Sequence, residues 1–233
     1  MGAPQRMLDR VDRGVGVGLE RLVRGHHRRR LRRLGHTSAF EFAAGSGLWA
    51  TTGPPPRSGN SVEVPVDGER ACGAIARALS GAHTQVHIAG WHLTPGFELT
   101  REGDISTVRD ILARLAERID VRMLLWAGPP VPAFQPTRTM VRAVREQLTA
   151  GTRIECVLDA RERTMHCHHE KLVIVDDTVA FVGGIDLTSL SGDRWDSTAH
   201  QPRGGLGWHD VATKLRGPIV GDVAQHVHRA AVG

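Results

Sequence analysis

The run His166-Cys167-His168-His169-Glu170-Lys171-Leu172-Val173-Ile174-Val175-Asp176-Asp177-Thr178-Val179-Ala180-Phe181-Val182-Gly183-Gly184-Ile185-Asp186 decides how this chain is read. Its two apolar stretches, 172–175 and 179–182, are short and rich in β-branched residues. Only Asp176-Asp177-Thr178 separates them, so they read as two buried strands joined in a hairpin. The first strand is expected over His168–Val175. Side chains alternate across a strand, which puts His169 and Lys171 on one face, about 7 Å apart, and Leu172 and Ile174 on the other. An imidazole and an ammonium leaving a buried strand together add little to a core. They suit a phosphate, as a nucleophile or acid beside a compact cation. Lys171 and Lys214 are the two lysines among 30 basic residues, and the rest are Arg. A generic surface charge in this chain is an arginine, so Lys171 is singled out for a specific role.

Outward from this hairpin, helical and extended patterns alternate. Residues 70–81 predict a helix, and residues 84–93 a strand with Val86 and Ile88 on one side. A helix follows over 104–118, with Asp104 as its N-cap and Val108, Ile111, Leu112 and Leu115 along one face. Residues 121–126 predict a buried strand ending in the loop Gly128-Pro129-Pro130. A helix over 137–150 is stopped by Gly151, a strand follows over 153–158, and a last helix covers 218–231. Strands alternating with helices of about 12–15 residues predict an α/β fold. The expectation is a mixed, largely parallel sheet flanked by helices on both faces.

The 233 residues, with 40% hydrophobic and 24% charged, suit one such domain that buries a real core. No uncharged apolar run reaches about 18 residues, so no transmembrane helix is expected. Cys72, Cys156 and Cys167 are too few and too scattered for a disulfide framework. Charge is unevenly placed. Residues 1–60 hold 11 Arg and 4 acidic residues, net +7, whereas the remainder holds 19 basic and 21 acidic residues, net −2. The high isoelectric point therefore belongs to the N-terminal segment, which argues against nucleic acid as the partner of the domain.

Asp9, Asp12 and Glu20 interrupt the N-terminus, so it is not a signal peptide. Its chemistry fits the cytoplasm or, peripherally, the membrane face. Met7, Leu8, Val11, Val15, Leu19, Leu22 and Val23 fall at helical spacing, although Gly14, Gly16 and Gly18 each weaken such a helix by about 1 kcal/mol. The seven arginines from Arg21 to Arg33 read either as a contact with an anionic membrane surface or as a solvated arm. Residues 51–60 are a Pro/Gly/Ser linker. The expected division is a basic arm over 1–50, the linker over 51–60 and one domain over 61–233.

The pattern His169-x-Lys171-x4-Asp176-x6-Gly183-Gly184 resembles the signature of the phospholipase D superfamily. Asp193-Arg194-Trp195-Asp196 and Trp208-His209-Asp210 after it, and Asp67-Gly68 and Ile88-Ala89-Gly90-Trp91 before it, extend the likeness. Residues 61–228 are similar to the first half of the long, two-motif enzymes. That resemblance implies a phosphoric diester hydrolase working in two steps through a phosphohistidine, on phospholipid headgroups or by phosphatidyl transfer. It implies that His169 reacts, that Lys171 stabilises phosphate charge, and that Asp186 accepts a hydrogen bond from His169. Gly183 and Gly184 allow close backbone approach, Trp91 borders the substrate, and Asp176 has a network role at the turn. This chemistry requires no metal and no cofactor. Neighbours in the His166–His169 run alternate faces, and no HExxH or CxxC pair exists, which argues against a metal site. Only one motif is present. A complete site then needs a homodimer, or a second chain carrying the other motif. The rival readings are a dimeric single-motif nuclease and an inactive membrane-associated fragment.

Overall fold

The computed structural model describes residues 3–35, 57–101, 106–130, 134–161, 167–190 and 209–232. Several sequence features lie outside these residues: the arm after residue 35, the linker up to residue 56, Asp104, His166, Asp193–Asp196 and Trp208. The chain divides into two units, Met1–Pro56 and Arg57–Gly233. The first contains the helix α1 (Ala3–Arg33).

The second unit holds β1 (Ser61–Glu63), α2 (Asp67–Ser80), β2 (Gln85–Gly90), α3 (Val108–Ala116), β3 (Asp120–Trp126) and α4 (Arg138–Thr149). These are followed by β4 (Glu155–Asp159), β5 (Lys171–Val175), β6 (Val179–Gly183), β7 (Ala212–Arg216) and α5 (Ile219–Val232). One sheet forms in the order β1-β7-β6-β5-β2-β3-β4. The β2–β3 and β3–β4 pairs are parallel because α3 and α4 carry the chain back across the sheet between them. The other four pairings are antiparallel. The sheet is mixed, as expected, but parallel pairing is confined to β2–β3–β4. Asp176 and Asp177, both at positive φ, close the β5–β6 hairpin too tightly for a crossover helix, which forces β6 to run back along β5.

Helices cover both faces. On one, Ala71, Cys72, Ile75 and Leu79 of α2 share a core with Val108, Leu112 and Leu115 of α3 and Leu148 of α4. Val86, Ile88, Val121, Met123, Val173 and Val175 supply the sheet side of that core. On the other, Val220, Ala224 and Val227 of α5 meet Ala89, Leu124, Leu172, Ile174 and Ala180. The alternation along β5 expected from the sequence is therefore the one that divides the two cores. Thr107, rather than Asp104, caps α3, its hydroxyl accepting from the Asp110 amide at 3.2 Å. The short edge strand β1 and its neighbour β7 carry Glu63, Lys214 and Arg216, so they lack the apolar runs that reveal central strands.

Candidate active site

Pairing brings one end of the sheet together. β2 ends at Gly90, which lies opposite Lys171, the first residue of β5. β3 ends at Trp126, opposite Asp159 of β4, and β6 reaches the same end at Gly183. This is the carboxyl end of the parallel strands, where open α/β sheets place their ligands. The expected strand over 168–175 begins only at Lys171, because its partner β2 has run out by then. His168, His169 and Glu170 continue extended above the ladder.

His169 is exposed at this end. Lys171 Nζ approaches its Nδ1 at 3.0 Å and its Nε2 at 3.3 Å, and donates to its carbonyl oxygen at 3.2 Å. The ammonium is held from below by Asp186 Oδ2 at 3.2 Å, with both side chains nearly buried. Asp186 thus acts on the lysine. A buried cation with a carboxylate behind it and an imidazole in front is fixed in direction, which a freely moving surface lysine is not. Trp91 stands 5.6 Å from the His169 ring, and stacks on Trp126 at 6.5 Å and 18°. The two indoles form an aromatic ledge beside the exposed imidazole. The site pairs a potential nucleophile with a positive charge and an apolar flank, the elements a phosphodiester with an organic substituent requires.

The family model for phospholipase D matches residues 78–207, more than half of the chain. The chain belongs to the phospholipase D family. It is 24% identical over 231 residues to a phospholipase D of Phytophthora infestans, covering 75% of this chain and 12% of that one. It is 29% identical over 210 residues to phospholipase D alpha 1 of Zea mays, covering 64% of this chain and 25% of that one. The chain therefore spans a quarter or less of these curated relatives. Its fold is similar to that of Nuc from Salmonella typhimurium, a phospholipase D family member. The TM-score is 0.50 at 15% identity, covering 74% of this chain and 94% of that one.

Three motif residues of this phospholipase D family chain, Asp176, Gly183 and Gly184, have structural contacts of their own. Asp176 is not at the His169 end of the sheet. It follows β5 at the opposite end from Lys171, roughly 16 Å away at the rise of an extended strand. There its carboxylate accepts from the amides of His83, Thr84 and Gln85 at 2.7–3.1 Å and from the Thr84 hydroxyl at 2.8 Å. Burial opposes its charge, but the Thr84 and Gln85 amides, the Thr84 hydroxyl and the His83 amide outweigh that and pull its pKa down to about 2. Asp176 is a clamp on the start of β2. Gly183 and Gly184 are points of close approach within the fold. A Cβ on Gly183 would meet the backbone of Val211 and Ala212, and one on Gly184 would land on the Asp210 carboxylate. Asp210 also accepts from the Val211 amide at 2.8 Å.

A second cluster lies on the other face of the same segment and was not foreseen. His168, whose side chain is 6% exposed, places Nδ1 3.2 Å from Asp159 Oδ2 and Nε2 3.4 Å from Glu170 Oε2. His226 of α5 reaches Glu170 Oε1 at 2.6 Å. The Glu170 carboxylate 3.4 Å away, aided by that of Asp159, raises the His168 pKa against the effect of burial. His168, then His226, hold Glu170 down to about 2. The cluster ties β4, the His169 segment and α5 together. Its signal was the other histidine of the His168-His169 pair, whose parity puts it opposite His169.

His92 is buried, and its Nδ1 meets the Thr188 hydroxyl at 2.8 Å. His209 is exposed and bonded to Asp67 at 2.9 Å. Cys167 is exposed. Among the described residues, no group of three or more His, Cys, Asp or Glu is arranged to hold a metal ion.

Proposed function

We propose that the domain cleaves or transfers phosphodiesters through His169, with phospholipids as the substrate class, and that it supplies one half of a two-motif site. In the first step an imidazole nitrogen of His169 attacks phosphorus and the bond to the leaving alcohol breaks. A histidine of the second motif, on another copy or another chain, gives that alcohol its proton. In the second step water, or an acceptor alcohol, returns a proton to that histidine. Its oxygen then displaces His169 from phosphorus. Lys171 balances charge on the non-bridging oxygens throughout. The observation that carries this reading is the contact of His169 with Lys171 on the buried Asp186. The preference for a lipid rests on the near-neutral balance of residues 61–233 and the Trp91–Trp126 ledge.

Two copies of this chain are the simplest source of a second motif. The test combines mass measurement in solution with hydrolysis of bis(p-nitrophenyl) phosphate and of phosphatidylcholine. A dimer that turns over both, and loses turnover and covalent phosphate in His169→Ala, is the expected result. Covalent phosphate retained in His169→Ala overturns the assignment. A dimer that cleaves DNA but no phospholipid transfers the same chemistry to a nucleic-acid substrate.

A further inference from the structure

We propose that α1 is a membrane-surface helix, made to lie along an anionic bilayer on one defined face. The inference rests on this helix alone and is independent of the chemistry assigned to His169. At 3.6 residues per turn, Val15, Leu19, Leu22, Val23, His26, Arg29, Arg30 and Arg33 fall within one sector of roughly 120°. That face is apolar through its first turns and cationic through its last. Arg21, Arg24, Arg28 and Arg32 follow one another at spacings of three and four along the opposite side. Val15, Leu19 and Leu22 are 63%, 62% and 68% exposed. Glu20, paired with Arg24 at 2.9 Å, is the single acid between residues 14 and 33, against seven arginines.

The charge complement of this helix is an anionic surface, and its apolar turns choose among such surfaces. A phosphate backbone gives valine and leucine no place to bury. A bilayer takes them into the acyl boundary while the neighbouring arginines engage lipid phosphates. No helix of the described residues is long and apolar enough to cross a membrane, so α1 lies on the surface rather than through it. The rear arginines stand about one helix diameter from the lipid, near the Debye length at physiological salt, and contribute less than the front ones.

Co-sedimentation of the full chain with vesicles of 30% phosphatidylglycerol in phosphatidylcholine tests this, with pure phosphatidylcholine as the control. The expected result is binding to the anionic vesicles alone, weakened by salt. Arg29→Gln with Arg30→Gln and Arg33→Gln should weaken it about a hundredfold, at roughly fivefold for each arginine near the surface. The rear triple Arg21→Gln, Arg24→Gln, Arg28→Gln should cost less than about tenfold. Leu19→Ser with Leu22→Ser, which leaves the charge unchanged, should cost about a hundredfold. Each variant's melting curve, unchanged, shows the domain to be intact. Equal losses from the front and rear triples overturn the proposal, as does full binding by the leucine variant. So does tighter binding to duplex DNA than to vesicles, which makes α1 a nucleic-acid contact.

Discussion

Replacing Glu170 by Gln should flatten the dependence of stability on pH from both sides at once. Glu170 has a depressed pKa, so its contribution is complete above its ordinary value of 4.5 and fades as pH falls toward about 2. His168 has a raised pKa, so its contribution is complete below its ordinary 6.5 and fades as pH rises through the folded value. The cluster therefore stabilises the fold most between about pH 4.5 and 6.5. A drop from 4.5 to about 2 corresponds to ~3.4 kcal/mol at full effect. With 33% of the Glu170 side chain in water, about 1–2 kcal/mol is the realistic contribution. For a domain of this size, each kcal/mol moves Tm by about 2–4 °C. The difference in Tm between the parent and Glu170→Gln, followed by calorimetry from pH 3 to 8, should peak at about 3–7 °C inside that window and shrink on either side. Asp176, His87 and His92 also titrate with folding, but they are common to both proteins and cancel in the difference. A difference that is constant across the whole range would refute the ionic account and leave a packing effect.

Asp186→Ala leaves the Lys171 ammonium buried without the carboxylate behind it, and should cost about 3–5 kcal/mol, read from the urea midpoint. An unchanged midpoint removes the pair from the stability of the domain. Asp176→Ala frees four donors at the start of β2 and should lower stability by about 2–4 kcal/mol. Because it sits at the far end of the strand, kcat at a temperature where the variant is folded should stay within about threefold of the parent. A loss of a hundredfold would return Asp176 to the reactive site. Gly184→Ala drives a methyl group into the Asp210 carboxylate and should cost about 1–3 kcal/mol, also seen in urea. Parental stability would show that Asp210 moves aside freely.

The parts of the fold that the sequence displays are those where burial dictates residue type. β2, β3, β5 and β6 are apolar runs between turn residues, and α2, α3 and α4 keep an apolar face at helical spacing. β7 carries Lys214 within Ala212–Arg216 and borders a three-residue edge strand, so its pattern is masked by solvent on the outer side. The direction of β5 relative to β2 is a tertiary choice that no local pattern encodes, and the expectation of a largely parallel sheet fails there. At the site, Lys171 stands out because it departs from an arginine-using composition. His168 and Glu170 do not, because each is an ordinary polar residue until folding places Asp159 and His226 beside it.

The motif spacing follows from the geometry of one strand. Lys171 and Asp176 are separated by the four apolar residues that, with Lys171, form β5, so the interval between the two polar members is the width of the sheet at that point. At one end Asp176 accepts from three consecutive amides at the start of β2, a set of donors that only one alignment of the two strands presents. That alignment pairs Val86 with Val175 and, four residues on, Gly90 with Lys171. A slip of one residue would exchange the faces of β5 and send the ammonium into the core under α5, away from Asp186. Asp176 thus sets, from the far end of the strand, the register that delivers Lys171 to His169. A residue at the far end of a strand can in this way belong to a chemical signature.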